Sequence, residues 1–176
     1  MPKCWLLLLF LMLPLGLQAQ FGTRSSAAIP LPYNPKYHVG DIAFDPTQDR
    51  ADFALRPNRP IYQYYNFATS FTGGRLELRR LLHEALLPLP ARGAASGYLT
   101  VRFVVNHRGE TDRFRVSTLD SEYRPQPYEP ALVADVLRAC RSLKGWEPGL
   151  INGETQDSYY YITFVVDKGR IREATL

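Results

Sequence analysis

The stretch Gly97-Tyr-Leu-Thr-Val-Arg-Phe-Val-Val105 decides the fold. Leu99, Val101, Phe103 and Val105 alternate with Thr100, Arg102 and Val104, which is the period-2 pattern of a strand. Asn106-His-Arg-Gly109 supplies a hairpin turn in which Gly109 can take a positive φ. Residues 111–118 form the return strand, with Phe114 and Val116 alternating with Arg113 and Arg115. Upstream, Leu78, Leu81, Leu82 and Ala85 share one helical face, and Pro88 and Pro90 end that helix. Downstream, Pro130 suits the first turn of a second helix. Leu132, Val133, Val136, Leu137, Cys140 and Leu143 keep its apolar period through Lys144, and Gly145 closes it. Residues 158–166, rich in Tyr and β-branched side chains, read as a third strand, residues 168–170 as a turn and residues 171–176 as a short tail.

This order predicts an α+β fold: a small three-stranded antiparallel sheet with two helices packed on one face. The second helix carries the chain back along the sheet, so the third strand pairs most economically with the first. The spatial order is then 2-1-3, with the third strand on an edge.

The chain has 176 residues, 45% hydrophobic and 22% charged, which suits one globular domain plus extra segments. That balance argues against a disordered chain, a collagen-like fibre or a multi-span membrane protein. Twenty-one Lys+Arg against 17 Asp+Glu leave +4, spread without a block of like charges, and nucleic acid is not called for.

Residues 1–19 read as a cleaved signal peptide: Lys3 precedes an uncharged apolar run from Trp5 to Leu17, and Ala19-Gln20 is a plausible junction. As a helix that run is about 20 Å long, short of a bilayer core of about 30 Å. The mature chain is therefore expected in the periplasm or secreted, with no stable membrane span; the alternative is an uncleaved inner-membrane anchor. Cys140 is then the one cysteine left, too few for an internal disulfide, and a buried small hydrophobe. Residues 20–70 crowd Pro among Tyr and Phe, which blocks long helices yet supplies too many rings for a free linker. They are expected to pack irregularly on the domain of residues 71–176, with residues 61–67 as one extended strand.

Several pieces in order resemble the C-terminal domain of TonB, in the versions abundant in Bacteroidetes. They are Phe71-Thr-Gly-Gly74 before a helix, the Gly97–Val105 strand with Arg108-Gly109-Glu110, and Gly145-Trp-Glu-Pro-Gly149 with Asn152-Gly153. The resemblance spans residues 71–170 and marks Gly73, Gly74, Pro88, Gly109, Trp146, Pro148 and Gly149 as structural motif positions. It implies a periplasmic module that binds an extended peptide segment of an outer-membrane transporter by β-strand addition, in TonB-dependent transport. The strand expected to receive that segment carries Ser158, Tyr159, Tyr160, Tyr161, Ile162, Thr163 and Phe164, whose outer main-chain groups give affinity. A second class stays open, a secreted accessory domain whose own N-terminal segment covers that edge.

No chemistry is legible. His38, His83 and His107 lie in no metal-binding spacing, and no nucleophile elbow, P-loop or dinucleotide fingerprint occurs. No catalytic residue, metal or cofactor is assigned, and the protein is read as a non-enzyme. Asp41, Asp45, Asp49 and Asp52 form an acidic run without the spacing of a calcium loop, and read as solvated. His107 reads as a solvated turn residue, Trp146 as a core anchor, and Arg102, Arg113 and Arg115 as a basic patch near Tyr98. The sequence is silent on the oligomeric state. Intact-mass measurement of the exported protein is expected to show a chain beginning near Gln20; a full-length chain retained with the inner membrane would reverse that reading.

Overall fold

The computed structural model describes residues 40–63 and 67–176. The chain is α+β, and its main sheet is antiparallel throughout. In chain order the elements are β1 Ser70–Phe71, α1 Gly74–Leu86, β2 Gly97–Val105, β3 Thr111–Leu119, α2 Pro130–Ser142, β4 Trp146–Glu147, β5 Leu150–Ile151, β6 Glu154–Thr155, β7 Ser158–Asp167 and β8 Arg170–Thr175.

The main sheet has four strands in the order β3-β2-β7-β8, not three. The expected neighbours β3, β2 and β7 are present, and β8 has been added outside β7. The stretch read as a tail is therefore a strand, and β7 is not the edge of the sheet. Strand β8 carries only two buried residues, Ile171 and Ala174, among Arg170, Arg172, Glu173 and Thr175, so its apolar signal is too thin to mark a strand.

Both helices cover one face of this sheet. Leu78, Leu82 and Leu86 of α1 and Leu132, Val136, Ala139 and Cys140 of α2 join Leu99, Val101, Phe103, Val105, Ile162 and Phe164 in one core. Helix α1 starts at Gly73, whose φ of 81° is open to glycine without strain. Its outer face ties Arg80 to Glu77 and Glu84. Pro130 opens α2 as expected, but the helix stops at Ser142, because Leu143 is already extended. Buried Asp135 on α2 accepts hydrogen bonds from Arg92 and Arg138 at 2.8 Å each, which fastens the α1–β2 connection to the helix. Burial pushes the Cys140 thiol up to about 12.

Two short ladders complete the fold. Strand β1 pairs with β4 through Phe71 and Trp146. The Trp146 ring is buried against Phe71, Phe103 and Tyr160, with centroids 5.2, 5.3 and 4.7 Å away. Strands β5 and β6 form a hairpin around Asn152-Gly153, both at positive φ, as such two-residue turns require. Glycine is demanded at two motif positions by close approach. A Cβ at Gly109, where φ is 78°, would meet the Trp146 carbonyl oxygen at 2.5 Å, and one at Gly149 would meet the Phe67 ring at 2.4 Å.

Leu82→Ala should cost about 2–5 kcal/mol, since Leu82 is fully buried at the centre of α1. Leu137 only packs against the core from a half-buried position, so Leu137→Ala should cost less. Urea denaturation of both variants checks the order; equal midpoints would mean that α1 does not carry the core.

Candidate functional site

The register of β7 shows which main-chain groups each side of it offers. Tyr159 donates its N–H to the carbonyl of Tyr62 at 2.8 Å, away from β2. By the alternation of an antiparallel strand, the main-chain groups of Tyr161, Thr163 and Val165 also face away from β2, while those of Tyr160, Ile162 and Phe164 face it. Thr163 and Val165 pair with Thr175 and Glu173 of β8. At the other end Tyr62 bridges Ser158 in parallel and donates its N–H to the Asp157 carbonyl at 2.9 Å. So the seven residues expected to form an open edge lie on a strand held by β8 over one half and met by Tyr62 at its start. Of the strand expected over residues 61–67, Tyr62 makes this single bridge and residues 64–66 lie outside the described residues.

Beside β7 lies a cleft of about 300 Å³ between Phe67, Phe71, the first turn of α1, Leu78 and Tyr160. Burial raises the Tyr160 phenol above its ordinary range.

The outermost strands are β3 and β8. Each is interrupted. On β3 the register slips opposite Phe103, where Arg113 sits at a φ of 57°, and Leu119 and Thr118 are met by Pro125 and Gln126. On β8 the register slips at Arg172, which has no opposite residue between the pairs at Glu173 and Ile171. The Ala174 main-chain groups lie between the β7-facing pairs at Thr175 and Glu173, so they face outward from the sheet.

The second face of the sheet is covered by residues 40–56, a strap without regular structure. Ile42 and Phe53 are buried against Val104 and Tyr159, with Leu55 and Ile61 alongside. Three arginines of the sheet hold the strap by its carbonyl oxygens: Arg102 donates to Gly40, Arg113 to Ile42 and Arg115 to Ala43. Arg115 also makes a two-pronged bond to the buried carboxylate of Asp49, both contacts at 2.7 Å. Arg102 stacks over the Tyr159 ring 4.4 Å from its centroid, and the Tyr159 hydroxyl donates to Asp41 at 3.1 Å. The residues read as a basic patch are thus the clamp of the chain's own N-terminal segment.

Part of the acidic run is likewise structural. Asp45 accepts the Thr47 hydroxyl at 2.6 Å and the Gln48 amide at 2.6 Å, which lowers it to about 2. Asp49 faces Arg115, whose hydrogen bonds hold its carboxyl below the usual range. Asp52 is solvated, 4.0 Å from Arg50, and Asp41 is exposed as well although it accepts the Tyr159 hydroxyl. Beside the strap is a cleft of about 450 Å³ bordered by Asp41, Phe44, Asp45, Arg102 and Arg115.

His107 is not a solvated turn residue. Its backbone N–H and its Nδ1 both lie on the fully buried Asp157 carboxylate, at 2.7 and 3.0 Å, and Arg56 donates its N–H to the same group at 2.6 Å. Neighbouring Asn106, also fully buried, donates to the carbonyl of Ala54 and accepts from Arg108 and Glu110. The strap therefore ends on the β2–β3 turn through Ala54 and Arg56. His83 sits on α1 with its buried Nε2 unpartnered, and His38 lies outside the described residues.

Sequence reasoning found the arginines and the aspartates separately. The signal that joins them is complementarity: three cations on one sheet face opposite an upstream segment with four carboxylates. Among the described residues no group of three or more His, Cys, Asp or Glu side chains could hold a metal, and no helix is long and apolar enough to cross a membrane. None of the protein-family models, curated proteins or solved structures compared with this chain matches it.

Acid should loosen the strap. A carboxyl lowered in the folded state adds stability above its unfolded value, 3.8 for Asp49, and that contribution fades as the pH falls through the lowered folded value. Amide chemical shifts of residues 40–56 should move in that window, before those of α2. Asp49→Asn should raise strap hydrogen exchange at neutral pH, by about 1.5–3 kcal/mol of opening free energy. Unchanged exchange would mean that the Arg115 contact does not hold the strap.

Proposed function

We propose that the chain is an exported protein-interaction module, similar in layout to TonB C-terminal domains, that takes an extended segment of an outer-membrane transporter as an added strand on β8. The observation that carries the reading is the place of β8 as outermost strand, with the Ala174 main-chain groups directed away from β7. A strand in that position offers N–H and C=O groups to a partner backbone, and alternate side chains give selectivity. Arg170, Arg172 and Glu173 are exposed along it, so charged side chains of the partner segment would find both signs there. The order of motifs from Phe71 to Gly153 supports the family reading.

The Tyr62 bridge and the slip at Arg172 favour a second reading. Bulges and self-cover are how sheets discourage added strands. On that reading the chain is a closed accessory domain.

Amide hydrogen exchange separates the two. The wild-type chain is titrated with synthetic peptides from the periplasmic N-termini of co-expressed outer-membrane transporters. Strand addition should slow exchange of the Ala174 amide while Thr175 and Glu173 stay protected. Loss of protection at Thr175 and Glu173 would mean that β8 is displaced, and the docking strand would be wrong. If no peptide binds, the accessory-domain reading replaces this one.

A further inference from the structure

We infer that the cleft between α1 and β7 binds an anion with an apolar body: a carboxylate attached to one aromatic or aliphatic group. The inference needs no strand added on β8 and stands apart from that reading. The cleft holds about 300 Å³, room for about ten waters at about 30 Å³ each, which is the scale of a small organic acid. Phe67, Phe71 and Leu78 give it apolar walls, and Leu176, whose side chain packs against the core, borders it too. Apolar walls alone would suit a neutral ligand. The charge at this cleft is one-sided, however. Arg75 borders it, exposed, and no ion pair or hydrogen bond joins its guanidinium to any of the described residues. No Asp or Glu side chain borders the cleft. Arg80, further along α1, is by contrast held by Glu77 and Glu84. Glu147, opposite Ser70 in the β1–β4 ladder, accepts the Ser70 and Thr72 hydroxyls.

Tyr160 supplies a second donor. Its hydroxyl makes no hydrogen bond with a described residue, and Arg75 lies close enough to act on the ionisation of the phenol. Burial raises that phenol, so it stays protonated and able to donate. The start of α1 adds main-chain donors. Gly73 caps the helix without a side-chain bond to its first N–H groups, and a Cβ at neighbouring Gly74 would meet nothing within 4 Å, so a ligand can approach the backbone there. A guanidinium, a phenol and a helix start therefore border one apolar chamber, with no carboxylate side chain among them. The donors select an anion, and the rings of Phe67 and Phe71 select its body. A free acid and the last residue of a peptide share this chemistry, and the arms of the test separate them.

Amide NMR of the full chain tests it, by titration with hydrocinnamate, with hydrocinnamide, and with a tetrapeptide ending in Phe as the free acid or as the amide. Hydrocinnamate should move the Ala68, Ser70, Gly74 and Arg75 amides saturably, and hydrocinnamide should bind about tenfold more weakly or worse, the loss of a charge-assisted hydrogen bond. This comparison uses the unaltered chain, so it stands whatever a substitution does to folding. Arg75→Met should cause the same loss for the acid and leave the weak affinity for hydrocinnamide unchanged. Ala68→Trp, at an exposed position on the cleft, should remove binding of both. Binding of the peptide acid, but not of its amide, at the same residues extends the site to chain ends; binding of hydrocinnamate without the peptide assigns it to small acids. Three results overturn the inference: no saturable shift with either acid, equal binding of hydrocinnamate and hydrocinnamide, or an Arg75→Met chain that binds the acid as tightly as the unaltered one.

Discussion

Strands β2 and β7 run side by side through nine paired residues, from Gly97 opposite Val166 to Val105 opposite Ser158. Consecutive residues on them are buried on opposite faces: Phe103 toward the helices and Val104 toward the strap, both without exposed surface. The helix-facing side of this pair is apolar throughout and the other side presents Val104 and Tyr159 among Thr100, Arg102 and Thr163, so the rest of the chain provides two covers, since a wet face would forgo the burial of those large side chains. Helices α1 and α2 are one cover. The other has no helix or strand to work with, and arginine side chains take the place of a ladder by donating to its carbonyls. The flanking strands β3 and β8 then shield the lateral sides of the pair, and their register slips end the sheet there.

The parts of this arrangement that could be read from the chain are those where one face is apolar at a fixed period. Leu99, Val101, Phe103 and Val105, the α1 face at Leu78 and Leu82, and the α2 face at Leu132 and Val136 all carry that signal, and the hairpin turn follows from Gly109. Strand β8 was illegible because four of its six residues are exposed and its bulge breaks the alternation. Since β8 lies outside β7, missing one short polar strand also hid that Thr163 and Phe164, two of the seven candidate partner-binding residues, already pair with a neighbouring strand. The β1–β4 and β5–β6 pairs are two residues long, below what periodicity can detect.

The strap was illegible for a different reason. Its order does not arise from its own propensities, because Pro46 and the irregular spacing of Phe44 and Phe53 specify no element. It arises from partners more than fifty residues away along the chain: Arg102, Arg113, Arg115, Asp112 and Asp157. Buried Asp157 looks in sequence like any loop carboxylate, yet it collects N–H groups from both the strap and the β2–β3 turn, and so joins the cover to the sheet at that end.

Because the guanidinium of Arg115 grips Ala43 by its carbonyl oxygen, the side chain at that position takes no part in the bond. Recognition of that kind is indifferent to spelling. Substitutions could accumulate at residue 43 over evolutionary time while the cover keeps its place, provided that Ile42 still fills its site, residue 40, at a φ of 143°, stays glycine, and the arginines stay where they are. In relatives of this chain the holder should therefore be better preserved than the segment it holds.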